Sequence, residues 1–164
     1  MQRYQSYLQG QWVDGQGTET NLYNAITGEQ FGEVSSAGLD FKGACEYAVK
    51  TGGYALRKMT FQERGRMLKA LALHLMELKG KYYEVSAWSG ATKVDSWIDI
   101  EGGIGNLFAN ASLRRQFPDL PYNVDGVAAP LSKNGTFIGH HIMVPKQGVA
   151  IHINAFNFPI WGML

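Results

Sequence analysis

The sequence predicts an α/β chain, with strands towards both ends and helices between them, on three observations. Tyr7 to Val13 holds a glycine-centred turn between apolar residues, the pattern of a short β-hairpin. Leu68, Leu71, Leu75 and Leu78 recur at spacings of three and four, which puts one apolar stripe on a helix. Val149, Ile151 and Ile153 alternate with Ala150, His152 and Asn154 after a turn at Pro145-Lys146-Gln147-Gly148. Small or apolar residues on both faces suit a strand buried in a parallel or mixed sheet.

In chain order, the first hairpin is followed by Asp14-Gly15 and then by strand-forming residues around Thr20 to Ala25 and Phe31 to Val34. Gly15-Gln16-Gly17 begins like a dinucleotide fingerprint, but Thr20 stands where the third glycine belongs, so it reads as a turn. Asp40 caps a helix that places Phe41, Cys45 and Ala48 on one face, with Gly52-Gly53 weakening its far end. Cys45 is thereby expected to be a small core residue, with no histidine near it in sequence to activate it. Thr60-Phe61-Gln62-Glu63 is a capping box that starts the Leu-rich helix, and Gly80 offers a stop. A second helical run covers about Lys81 to Ser89.

A third run, Val94 to Leu113, carries Gly102, Gly103 and Gly105 in its interior, each costing about 1 kcal/mol relative to alanine. These glycines imply a close approach or a bend. No basic residue or GKS/T tail follows to make them a phosphate cradle. Pro118 to Ser132 reads as an irregular surface connection. Phe137 to Val144 reads as a strand, on which His140 and His141 point to opposite faces and cannot easily share a metal. His74 has no partner at ligand spacing, and no metal site is expected.

Composition narrows the function classes. The 164 residues are 45% hydrophobic and 18% charged, and 15 basic residues nearly balance 14 acidic ones. That balance gives no argument for nucleic acid or an anionic membrane surface as partner. One cysteine allows no intrachain disulfide and fits a reducing compartment. There is no basic-then-apolar leader, and no run of about 18 apolar residues to span a bilayer. The expected location is cytoplasmic, and the sequons at Asn110 and Asn134 read as chance matches.

After the apolar strand comes Asn154-Ala155-Phe156-Asn157-Phe158-Pro159, a loop of two amides, two aromatics and a proline. Loops at the carboxyl ends of buried strands are where open α/β sheets bind ligands, so any chemistry is expected here. Asn157 has a second possible use, as the cap of a following helix. Ile160 to Leu164 look like the opening of that helix, and the chain is read as the N-terminal part of something larger.

These motifs resemble the N-terminal portion of the aldehyde dehydrogenase superfamily over almost the whole chain. The resemblance rests on the Leu8–Gly15 hairpin, the Thr60 to Arg64 helix start, and Gly148 to Ile151 followed by Asn157-Phe158-Pro159. Most members have Pro-Trp before that asparagine, whereas Ala155-Phe156 stand here. Asp95 to Gly105 and His152 to Pro159 resemble a narrower branch, the bifunctional proteins of phenylacetate degradation (PaaZ type). The semialdehyde dehydrogenase of the benzoyl-CoA oxidation pathway is a close relative of that branch.

The resemblance implies a truncated aldehyde dehydrogenase fold. Residues 1–135 would begin the cofactor-binding domain, 136–147 would form an association strand, and 148–164 would start the cofactor sheet with the catalytic-asparagine loop. It implies NADP- or NAD-dependent oxidation of a CoA-linked semialdehyde to its acid by an oligomeric enzyme. Asn157 takes the catalytic role, Ile153, Asn154, Ala155 and Phe156 line the cofactor, and Phe158 and Trp161 line the aldehyde passage. The family's cysteine nucleophile and water-activating glutamate lie beyond the matched motifs, so this chain alone is expected to be inactive. The alternatives are a noncatalytic association or scaffold module on the same fold, or the related semialdehyde dehydrogenase of the benzoyl-CoA pathway.

Overall fold

A computed structural model describes residues 2–164. Its first strand, β1 (Gln2–Tyr4), runs parallel to β5 (Gln30–Val34), which also pairs antiparallel with β4 (Thr20–Tyr23). Between them β2 (Ser6–Leu8) and β3 (Gln11–Val13) form the expected hairpin in the register Leu8↔Gln11. Only Gln9 and Gly10 connect the two strands. Both take positive φ, 53° and 86°, as a two-residue turn that matches strand twist requires. Tyr7 and Trp12, opposite each other, meet edge to face at 5.1 Å.

Asp40 accepts from the Gly43 N–H and caps α1 (Phe41–Tyr47), which runs through a π-helical turn at Ala48–Gly52 into α2 (Gly53–Lys58). No residue of this run is buried. Cys45 is accordingly exposed, not a core residue as expected, because the face it shares with the exposed Phe41 and the half-buried Ala48 is not covered by the core.

The capping box at Thr60 is complete. The Thr60 hydroxyl accepts from the Glu63 N–H at 3.2 Å, and Glu63 accepts from the Thr60 N–H at 2.8 Å. Such caps contribute about 1 kcal/mol. The helix it opens, α3 (Phe61–Trp88), does not stop at Gly80 but is one 28-residue rod. Leu68, Leu75 and Met76 before the glycine and Tyr82 and Tyr83 after it pack on the same core, so burial on both sides outweighs its cost.

That core is Ala72 of α3 with Ile100, Ile104 and Leu107. The last three come from α4 (Lys93–Trp97), a π-helical turn at Ile98–Gly102, and α5 (Gly103–Ser112), a nearly continuous helical passage laid against α3. A 3₁₀ turn at Leu113–Gln116 follows, where the Gln62 amide donates to Arg114 O and Phe117 O, and Phe61 stacks on Phe117 at 4.4 Å.

Two strand expectations change. The stretch read as irregular contains β6 (Asn123–Pro130), which pairs antiparallel with β7 (Ile138–Met143). Pairing is a non-local event, and this strand is specified more by its partner than by its own pattern. Conversely, residues 149–153 form no strand. Ile151 is 79% and Ile153 93% exposed, because no described strand lies beside them to complete a ladder. The chain exposes 11703 Å² in all, against roughly 8,000 Å² for a compact monomer of this length.

Candidate active site

The loop that the sequence singles out is tied to the helical core by the packing of Ile160 and Leu164 and by a buried acid. Asp99 is 2% exposed, in the π-helical turn. Its Oδ1 accepts from the Trp161 N–H at 2.7 Å and the Ile160 N–H at 3.1 Å, with Oδ2 3.3 Å from Ile160 N. The same turn carries Gly102, where a Cβ would stand 2.2 Å from the Trp161 ring, and Gly103, where it would stand 2.9 Å from Trp161 Cα. The close approach implied by the glycines is therefore made by the Trp161 segment, not by a second helix. Gly105 faces open space.

From Pro159 to Met163 the chain turns repeatedly, with Met163 and Leu164 N–H groups both donating to Ile160 O at 3.1 Å. The first free N–H groups of this coil are satisfied by Asp99. Asn157 is not its cap. It occupies the turn closed by the Phe158 N–H donating to Ala155 O at 3.2 Å, and its exposed amide bonds to no described residue.

An open cleft of about 310 Å³ forms where the loop meets the helix. Ile153, Asn154, Ala155, Phe158 and Trp161 line it, together with Ile98 and Gly162. Phe156, 92% exposed, and Asn157 lie outside this lining. Ile98, Asp99 and Gly162 were not singled out as site residues by sequence reasoning. The available signal for Asp99 was an acid between two isoleucines in an apolar helical run, a placement that requires hydrogen-bond partners. A larger cleft of about 450 Å³, bordered by Arg57, Arg64 and Lys146, lies elsewhere and includes none of these loop residues.

Glu101, on the opposite side of the same turn, accepts from Lys79 at 3.1 Å and from the Tyr83 hydroxyl at 3.0 Å. These bonds, Lys79 first, hold its carboxyl below the usual range, while burial and then Glu101 itself raise the Tyr83 phenol. A depressed carboxylate stabilises the fold above its unfolded value, near 4.3, and that contribution is lost as pH falls through the lower folded value. The stability gap between wild type and Glu101→Gln, measured by urea unfolding, is expected to be largest at neutral pH and to close towards pH ~3. Partial exposure of the pair limits it to about 0.2–1 kcal/mol.

Fold and cleft together define a mixed α/β segment that ends on an amide-bearing loop beside an apolar recess. No described helix is long and apolar enough to cross a membrane. The sequence profile of the aldehyde dehydrogenase family matches residues 12–164. The chain belongs to the aldehyde dehydrogenase family.

Among relatives, it is 37% identical over 159 residues to the 3,4-dehydroadipyl-CoA semialdehyde dehydrogenase of Aromatoleum evansii, covering 96% of this chain and 31% of that protein. It is 26% identical over 173 residues to the 3,6-anhydro-alpha-L-galactose dehydrogenase of Vibrio sp. (strain EJY3), covering 97% of this chain and 32% of that protein. An NAD-dependent benzaldehyde dehydrogenase from Corynebacterium glutamicum shares the fold, with a TM-score of 0.62 at 19% identity over 77% of this chain and 28% of that one. The chain thus spans about a third of the length of the curated relatives it matches.

Proposed function

We propose that this chain is the N-terminal portion of an NAD(P)-dependent dehydrogenase that oxidises a CoA-linked semialdehyde to its acid in the breakdown of aromatic compounds, phenylacetate among them. The observation that carries the reading is the 37% identity, over nearly the whole chain, to a CoA-semialdehyde dehydrogenase. The large exposed surface and the unpaired segment at 149–153 support a place within a larger fold.

In this reading Asn157 is catalytic. When a thiolate from outside this chain attacks the aldehyde carbon, the carbonyl electron pair moves onto oxygen. The Asn157 amide N–H donates to that oxygen and stabilises the charged state more than the ground state. The amide is free to do so, since Asp99 and not Asn157 caps the following turn. Ile153, Asn154, Ala155 and Phe156 would hold the cofactor. Their exposed apolar edges, with small Ala155 between, fit the flat face of a dinucleotide. NAD or NADP, when bound, supplies the hydride acceptor. Phe158 and Trp161 would line the aldehyde's approach and keep water from it.

The β6–β7 hairpin exposes Val127, Phe137, Ile138, Ile142 and Val144, and we assign residues 136–147 to subunit association on that ground. The substrate reading is tested by comparing a CoA-linked semialdehyde with the free semialdehyde of the same carbon skeleton in the full-length enzyme. kcat/KM is expected to favour the CoA form, tenfold for each ~1.4 kcal/mol that the CoA portion contributes. Equal values would remove the CoA linkage and leave aldehyde oxidation standing.

A further inference from the structure

We propose that Asp99 is a positioning residue that sets the direction of the Asn157 amide through the backbone of Ile160 and Trp161. The inference rests on the catalytic reading of Asn157 given above. The Asn157 side chain bonds to no described residue, so its aim depends on the backbone that carries it. Upstream, residues 149–153 are exposed, and His152 Nδ1 lies 3.5 Å from Gly162 O, on the same coil that Asp99 holds. Downstream, the side-chain anchor nearest to Asn157 is Asp99, three residues further on at Ile160.

The anchor is built with some care for its own burial. A carboxylate removed from water is costly unless its oxygens are satisfied, and no described cation pairs with Asp99. Its satisfaction comes from the two N–H groups at the start of the coil, those of Ile160 and Trp161. Ile98, beside it, lines the cleft, and Gly102, three residues on, seats the Trp161 ring. One helical turn therefore fixes the floor of the cleft and the backbone leading into the amide. A shift of about 1 Å in such a group is enough to cost about 100-fold in rate.

The test uses the full-length enzyme. Asp99→Ala is expected to lower kcat about 100-fold while KM for NAD(P)+ stays within a factor of about three. Asp99→Asn, which retains an acceptor oxygen, restores most of the loss. In an Asn157→Ala background, Asp99→Ala costs almost nothing further, because the group it positions is gone. A merely structural role would lower the active fraction and add its penalty in both backgrounds, and additive losses would overturn the proposal. If Asp99→Ala does not fold, Asp99→Ser, whose hydroxyl stops short of the two N–H groups, gives the same comparison. Full kcat in Asp99→Ala beside a crippled Asn157→Ala defeats the positioning role alone. Full kcat in Asn157→Ala defeats the catalytic reading on which it rests.

Discussion

Asn157→Ala in the full-length enzyme is expected to lower kcat by about 100- to 1000-fold and to leave KM for NAD(P)+ nearly unchanged. The magnitude is that of removing one fixed donor from a site where oxygen acquires charge, because such a donor acts on the transition state and little on the ground state. The structure bears on this through what Asn157 does not do. An asparagine before Phe-Pro is a natural helix cap, and in that role its loss would reduce stability and scatter effects over every kinetic constant. Here the coil after Pro159 draws its acceptor from Asp99, and the Asn157 amide remains exposed and uncommitted. Steady-state kinetics beside a thermal melt separates the two outcomes. A kcat loss with an unchanged melt supports catalysis, and equal losses in kcat and cofactor affinity return Asn157 to structure.

The 164-residue chain alone is expected to form no NAD(P)H from any aldehyde, the largest effect of all since it is a complete loss. Covalent aldehyde oxidation needs a thiolate at the carbonyl carbon, and the single thiol in this sequence is Cys45. Cys45 sits exposed on α1, while the cleft is lined by Ile98 and by residues 153–155, 158, 161 and 162. It therefore has neither the loop's amide nor the cleft's apolar walls beside it. Absorbance of the reduced nicotinamide is the readout. Aldehyde-dependent turnover by purified chain would overturn the assignment of the nucleophile to residues outside it.

Most of the helical block was legible in the sequence because its signals are local. Asp40 and the Thr60–Glu63 box each mark a helix start within four residues, and both caps form as read. The Gln9-Gly10 hairpin is equally local, since the two turn residues need positive φ and little else. The errors share one cause. Gly80 looked like a stop, yet core packing on both sides carries α3 through it. β6 was missed and a strand at 149–153 was expected, because whether a segment becomes a strand depends on a partner elsewhere in the chain.

The candidate site divides in the same way. Its residue types are written in the sequence: an amide-rich loop after an apolar stretch, with aromatics and glycines to pack it. Those features were enough for the family resemblance, since the motif from Gly148 to Pro159 is contiguous. What only the tertiary structure decided is how that loop is held. Asp99 lies about sixty positions upstream of the N–H groups it satisfies, and Gly102 makes room for a tryptophan equally distant in sequence. Hydrogen bonds and ring contacts at such separation leave no periodicity to read. They exist only once α5 has packed on α3 and turned the π-helical face, with its buried acid, towards the end of the loop.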